Sequence, residues 1–321
     1  MKGRIITLVL LLALASYSNT ALAQAYPAKP IRLIVPFTPA GGTDTSARIM
    51  AQAFSDDLGW RIVVENRPGA SGRIGTELAA KAPADGYTLL MGSVAPNAIL
   101  PSAAANLPYD AVKDFAPISL LAISDFMLVV HPSLPARSIK ELVALARSRP
   151  GQINFASVGN SSGSHLTAEL FKQLAKINIV HVPYKGPGAA VVAVLSGEAA
   201  FYFGSGPTVA PHVNTGKLRA LATTGAKRSK GFPNLPTMSE TLPGHVSTQW
   251  FGFLAPAGTP REIIARVHAA IVAAVAKPKV AEQLAAVGSE PVANSPAEFA
   301  AFINDEIAKW AKVVKSGVPL E

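Results

Sequence analysis

Short apolar runs rich in Val, Ile and Phe alternate along this chain with longer stretches whose apolar positions recur at helical spacing. That alternation predicts βαβ units and a mixed, mostly parallel α/β architecture. Strands are expected over 31–37, 62–65, 87–91, 126–130, 153–156, 179–182, 200–203 and 218–223, and helices over 43–58, 138–148, 163–175 and 188–195. A further helix opens after Pro260, which suits a first helical turn, with Ile263, Ile264, Val267, Ile271 and Val275 on one face. A last helix is expected from about Pro296 to Val314. The Pro- and Gly-containing stretches at 131–135 and 233–244 are the expected crossings between domains.

The N-terminus departs from this pattern. Lys2 and Arg4 precede an apolar run at 5–15, and a polar stretch then leads to Ala21-Leu22-Ala23. This is the order of a secretory signal peptide cleaved near Ala23, so the mature protein is expected in the periplasm. No later segment reaches the roughly 18 uninterrupted apolar residues of a membrane span. Of 321 residues, 49% are hydrophobic and 15% charged, a charged share below the roughly 25% usual for soluble domains, which excludes disorder. The absence of Cys excludes disulfides, thiol catalysis and Cys-ligated metals. The formal charge is +9, yet Lys and Arg are scattered, and the densest group, Lys227-Arg228 with Lys230, has no interleaved aromatic. Nucleic acid is therefore not an expected partner. The charge reads as a diffuse field that draws small anions inward.

Two loops carry the chemistry. In PFTPAGGTD, a strand ends at Phe37, Gly41-Gly42 turns the backbone, and Thr43 or Asp44 can cap the next helix. Backbone amides at the positive end of a helix dipole suit a carboxylate or phosphate, although shape alone fits a structural turn equally. The arrangement recurs in SVGNSSGSH, where Ser157, Ser161, Ser162 and Ser164 supply hydroxyls ahead of a helix bearing Leu166, Leu170, Phe171 and Leu174. Two such loops in two α/β halves suggest one ligand held between them.

The second loop contains a literal G-x-S-x-G, Gly159-Asn160-Ser161-Ser162-Gly163, in the strand–turn–helix setting of a hydrolase nucleophile. Glu198 or Glu240 followed by His245 or His268 completes the order Ser, acid, His, so a secreted serine esterase is an alternative. No HGGG-type oxyanion segment precedes it. His165 stands where it can donate to a ligand or to a loop carbonyl, and His131 reads as a strand-end residue. None of the six histidines forms a zinc motif, so no metal is expected.

The segments YPAKPIRLIVPFTPAGGTDTSAR, VVENRPGASGRIGTELAAKAPADGYTLLMGS, INFASVGNSSGSHLTAELF, HVPYKGPGAAVVAVLSGE and WFGFLAPAGTP, in this order along the chain, resemble the periplasmic substrate-binding proteins of tripartite tricarboxylate transporters, the Bug proteins. The resemblance spans essentially the whole mature chain. It implies a two-domain Venus-flytrap fold, each domain a sheet flanked by helices, with a small organic acid in the cleft. It further implies a receptor, not an enzyme, that hands the acid to membrane components of the transporter. The same fold used as a periplasmic ligand sensor for a signalling partner is a third reading.

Carried over by motif, the ligand contacts are Phe37, Thr38, Ala40, Gly41, Gly42, Thr43 and Asp44 in the first loop, and Ser157, Gly159, Asn160, Ser161, Ser162, Ser164 and His165 in the second. Ser93 and Asn97 match a cleft-facing stretch, where the family often has Thr-His in place of Pro96-Asn97. At Gly204 the family usually carries Asp, and its loss here is expected to clear space and disfavour amino acids. The ligand class is a di- or tricarboxylate or an aromatic carboxylate, with no cofactor and a monomeric receptor. The expected partition is 24–124 with about 249–290 as one domain, 125–248 as the other, and 291–321 as a helix packing across both.

Overall fold

The computed structural model describes residues 26–315, so the signal peptide expected at 1–23 lies outside the described residues. Strand β1 (Ile31–Val35) is buried except at Arg32. Its side chains feed two cores, Ile31, Leu33 and Val35 on one face and Ile34 on the other, which is why the run lacks polar alternation. There follow α1 (Gly42–Leu58), β2 (Ile62–Asn66), a 3₁₀ turn (Ala70–Gly72), α2 (Arg73–Ala80), β3 (Thr88–Ser93), a π turn (Ala95–Ile99) and α3 (Leu100–Ala103). The chain continues through β4 (Phe115–Val130), α4 (Ile139–Ser148), β5 (Asn154–Ser157), α5 (Gly163–Ala175), β6 (Val180–Pro183), α6 (Pro187–Leu195), β7 (Phe201–Ser205), α7 (Gly206–Asn214) and β8 (Arg219–Thr223). Then come α8 (Met238–Thr241), β9 (Thr248–Pro256), α9 (Arg261–Val275), α10 (Pro278–Ala286), β10 (Glu290–Pro291) and α11 (Pro296–Lys315).

The strand order is β2-β1-β3-β9-β4-β7-β5-β6, with β8 and β10 also pairing to β4. Within it, β2-β1-β3 and β7-β5-β6 are parallel, and the antiparallel β9 and β4 lie between them. From Phe115 to Asp125, β4 pairs with β9; from Phe126 to Val130 it pairs with β7. One strand therefore leaves the first sheet and enters the second between Asp125 and Phe126. Beyond the crossing its side chains alternate between two cores, Phe126, Leu128 and Val130 against Met127 and Val129. Thr224 ties the crossing together: the Phe126 amide donates to its hydroxyl (3.0 Å), and that hydroxyl donates to the Ser247 carbonyl (2.5 Å) just before β9.

Of β4 only the stretch 126–130 was predicted, and β9 was not predicted at all. Pro117 interrupts the first part of β4, and the ladder absorbs it by a register shift between Pro117 and Ser119. In β9, Gly252 weakens the strand pattern, yet a Cβ there would sit 2.2 Å from the Phe299 ring of α11. Its absence lets α11 press Phe299 and Phe302 edge-on against Trp250, at ring distances of 5.7 and 5.8 Å. Helix α7 escaped notice because Pro207 and Pro211 both fall within it.

Candidate functional site

Four helix N-termini converge on one cavity between the halves. Gly41, Gly42 and Thr43 open α1, Ser162, Gly163 and Ser164 open α5, Pro187 opens α6, and Ser205 and Thr208 belong to the start of α7; all of them line it. The lining also includes Phe37, Phe126, Val158, Tyr202 and Gln249, and it contains no charged side chain. Helix starts bring unsatisfied amides and partial positive charge. At α1 and α6 no side chain caps the helix, so the first-turn amides other than Pro187, which has no N–H, keep their capacity for an acceptor; at α7 the Gly206 amide donates to Ser124 Oγ (3.2 Å) and Pro207 has no N–H, which leaves Thr208 as the first-turn donor. The cavity is therefore a neutral-walled site with donors and a positive potential, suited to an anion.

The halves meet closely here. A Cβ on Gly41 would lie 2.7 Å from Pro187 Cγ, and one on Gly186 would lie 2.6 Å from Thr38 Oγ1. Glycine at both positions lets the two loops touch. Ser71 Oγ also donates to the Asn160 carbonyl across the cleft (2.5 Å).

Each loop is held from behind. Asp44, 2% exposed, accepts from the Ala40 amide (3.0 Å), Arg48 Nε (2.9 Å) and Asn66 Nδ2 (2.8 Å). Burial pushes its carboxyl up, and the bonds from Arg48, Asn66 and Ala40 outweigh that and hold it below the usual range. In the second loop Ser162 Oγ caps α5 by accepting from the His165 amide (3.2 Å), and Ser164 Oγ accepts from the Val158 amide (3.1 Å). His165 Nδ1 accepts from the Ser161 amide (3.1 Å), which holds Ser161 in a left-handed backbone (φ 58°) and fixes the His165 tautomer. Beneath it, His181 Nε2 pairs with Ser157 Oγ at 2.6 Å.

Of the expected contacts, Phe37, Gly41, Gly42, Thr43, Ser162 and Ser164 line this cavity, and Phe37, Thr38, Gly159 and Asn160 line a second one beside it. Ala40, Asp44, Ser93, Asn97, Ser157, Ser161, His165 and Gly204 line neither. Three of the expected contacts have close neighbours within the protein itself. His165 Nδ1 accepts the Ser161 amide, and its Nε2 lies 4.0 Å from Glu169 Oε1. Asn97 Oδ1, in the π turn, accepts from the amide of Ser93 at the end of β3 (3.1 Å), and both residues are wholly buried. Gly204 sits inside β7 opposite Met127, and its Cβ direction runs into Val209 Cγ1 (2.2 Å) and Tyr202 Cε1 (2.6 Å), not into open cleft.

Sequence reasoning missed Ser205 and Thr208, whose hydroxyls pair at 2.9 Å; the strand–turn–helix pattern of FYFGSGPT marks them as a third loop of the same kind. It also missed Tyr202, whose phenol burial drives above its usual range. The esterase constellation does not assemble. His245 Nε2 donates to the Thr167 carbonyl, His268 Nε2 to the Asn294 carbonyl, Glu240 pairs with Arg228, and Glu198 accepts from Tyr184.

A model of the family described as "Tripartite tricarboxylate transporter family receptor" matches residues 46–317. Protein BugT of Bordetella pertussis is 42% identical over 306 residues, covering 95% of this chain and 94% of that one. Among solved structures, R. palustris Rpa4515 with adipate aligns at a TM-score of 0.88 and 35% identity, over 90% of this chain and 97% of that one. MatC from Rhodopseudomonas palustris with bound malate aligns at 0.85 and 30% identity, over 90% and 100%. The fold is the two-domain periplasmic-binding-protein fold that the motifs implied, and the relatives are solute-binding proteins, not enzymes. Among the described residues no helix is long and apolar enough to cross a membrane. With converging helix N-termini, a neutral-walled cleft and relatives along its whole length, the chain belongs to the tripartite tricarboxylate transporter receptor family, as a protein of the Bug type.

Proposed function

We propose that this protein is an exported, monomeric periplasmic receptor that closes around a small carboxylated metabolite and delivers it to the membrane components of a tripartite tricarboxylate transporter. The observation that carries this reading is the meeting of four helix N-termini at a cavity with no charged lining residue. Each helix end favours an anion by about 0.3–1 kcal/mol when exposed and up to about 2 kcal/mol when partly buried. The adipate and malate held by its structural relatives support the ligand class. Residues 24–124 with about 249–290 act in this reading as one domain, 125–248 as the other, and 291–321 as the helix that braces them. Ligand contacts to both sides stabilise the closed form over the open one, and the closed surface is what the transporter reads.

A thermal-shift screen of the mature protein against organic acids tests the ligand class, since a ligand at 100 times its Kd adds about 2.7 kcal/mol. A shift with carboxylates and none with matched amides or alcohols is the expected result; no shift with any acid overturns the reading. Delivery is tested by uptake of the identified acid in cells with and without the receptor.

A further inference from the structure

The inner cavity is small. Its volume is about 40 Å³, and a water needs roughly 10–15 Å³, so it has room for a group of about three heavy atoms, the size of one carboxylate. A second cavity of about 580 Å³ adjoins it, and Phe37 and Val158 line both. The outer chamber is walled by the turn at 68–72 on one side and by Gly159, Asn160 and residues 183–186 on the other. Ala70 and Ser71 in that turn hold left-handed backbone (φ 47° and 54°), conformations that persist only where surroundings enforce them. Here the Ser71 bond to the Asn160 carbonyl shapes the wall.

Lys185 is the sole charged residue lining this outer chamber; it is exposed, and among the described residues no acid pairs with it. Much of the remaining wall is apolar, from Pro68, Ala70, Pro183 and the ring of Tyr184. The Tyr184 hydroxyl donates to Glu198 (2.8 Å) and the Ser71 hydroxyl to Asn160, so both are already committed. Thr38 and Asn160 are the other polar side chains on this wall, and a ligand body with hydroxyls away from these two would leave polar groups unpaired.

We propose that the two chambers form one elongated site for an unsubstituted α,ω-diacid, with one carboxylate among the helix N-termini, the hydrocarbon body between Phe37 and Val158, and the second carboxylate at the Lys185 ammonium. This inference rests on the receptor reading above and adds to it a length, an apolar body and a distal charge. Each methylene buried along the outer wall raises affinity about four-fold, so a longer diacid outbinds a short one.

Isothermal titration of the mature protein with octanedioate, octanoate and butanedioate is the test, repeated on Lys185→Gln and Lys185→Arg. Octanedioate binds at least ten-fold tighter than butanedioate. Its preference over octanoate falls about five-fold in Lys185→Gln, as for a solvent-facing ion pair, and is recovered in Lys185→Arg. If butanedioate binds as tightly as octanedioate, or the preference survives Lys185→Gln, the elongated site is wrong while binding of any of these acids keeps the receptor reading. If none of the three binds and the wider acid screen is also blank, the receptor reading itself fails.

Discussion

The imidazoles of His165 and His181 lie nearly parallel, 12° apart, with ring centroids at 3.9 Å beneath the loop that precedes α5. Burial first, then its neighbours His181 and Lys172, pushes His165 down to about 3; burial and then Lys172 push His181 down to about 4. Both rings are thus neutral in the folded protein, whereas an unfolded histidine titrates near 6.5. Below that value the unfolded chain binds the extra protons, so stability is lost as pH falls from about 6.5 toward 4, by at most about 1.4 kcal/mol per unit for each ring. His245, pushed down to about 4 chiefly by burial, acts in the same direction. Asp125, raised to about 6 by burial and then by Glu290, acts oppositely, because its folded form holds the proton more tightly. Glu169, facing His165 and raised by burial, acts as Asp125 does. Three histidines outweigh these two acids, so urea midpoints are expected to decline from pH 7 to pH 5, less steeply in His181→Phe. A flat or rising profile would show that the stacked pair is not neutral in the fold.

Gly42 is the point where α1 meets the opposing half. A Cβ there would stand 2.8 Å from Ser205 Oγ and 2.9 Å from Phe251 Cζ. Gly42→Val is expected to hold the loops apart and leave ligand acceptors unpaired, which costs about 1–3 kcal/mol, or roughly five- to 150-fold in Kd. Titration with the acid that emerges from the screen checks this, and an unchanged far-UV spectrum shows that the fold survives. Parental affinity in a folded variant removes this loop from the site.

Ser71→Ala removes the hydroxyl that bonds the two halves across the cleft. A single hydrogen bond of this kind contributes about 1 kcal/mol, so affinity is expected to fall about five-fold, with faster ligand release. An unaltered dissociation rate in stopped-flow measurements would mean that the bond does not report on closure.

Gly204→Asp tests the strand placement of that glycine. The new side chain would be driven into Val209 and Tyr202 with a carboxylate that has no partner there. Overpacking and the unpaired group together are expected to cost about 3 kcal/mol or more, read as a lower urea midpoint. A variant as stable as the parent, with altered preference among acids, would instead put position 204 in the cleft.

What the residues disclosed by themselves was local. The helical spacing after Gly41-Gly42 reports α1, and Ser138, which accepts from the Glu141 amide at 3.2 Å, marks the start of α4. The Ser-rich loop before α5 was legible for the same reason, because its cap and its apolar stripe lie within a few residues of each other. The backing of each loop was not legible, since it depends on partners brought together by strand register. His181 reaches His165 only because β6 lies beside β5, with Phe155 opposite His181. Asp44 owes its role to Asn66, the last residue of the neighbouring strand β2. No periodicity within one segment encodes such pairings. The shifted register at Pro117 and the Gly252 gap for Phe299 are likewise cross-chain accommodations that look, locally, like broken strands.

The passage of β4 from one sheet to the other at Asp125–Phe126, pinned by Thr224 to the residue before β9, has a mechanical meaning. Extended pleated backbone with hydrogen bonds on both sides behaves as a leaf spring, and it offers no slack coil about which the halves can swivel. In the proposed receptor reading, opening or closing the cleft bends this strand, and the departure is stored as elastic twist shared along it. In that reading a bound acid is a clip holding a bent spring, so its release rate depends on the stiffness of the crossing as much as on the grip of the loops.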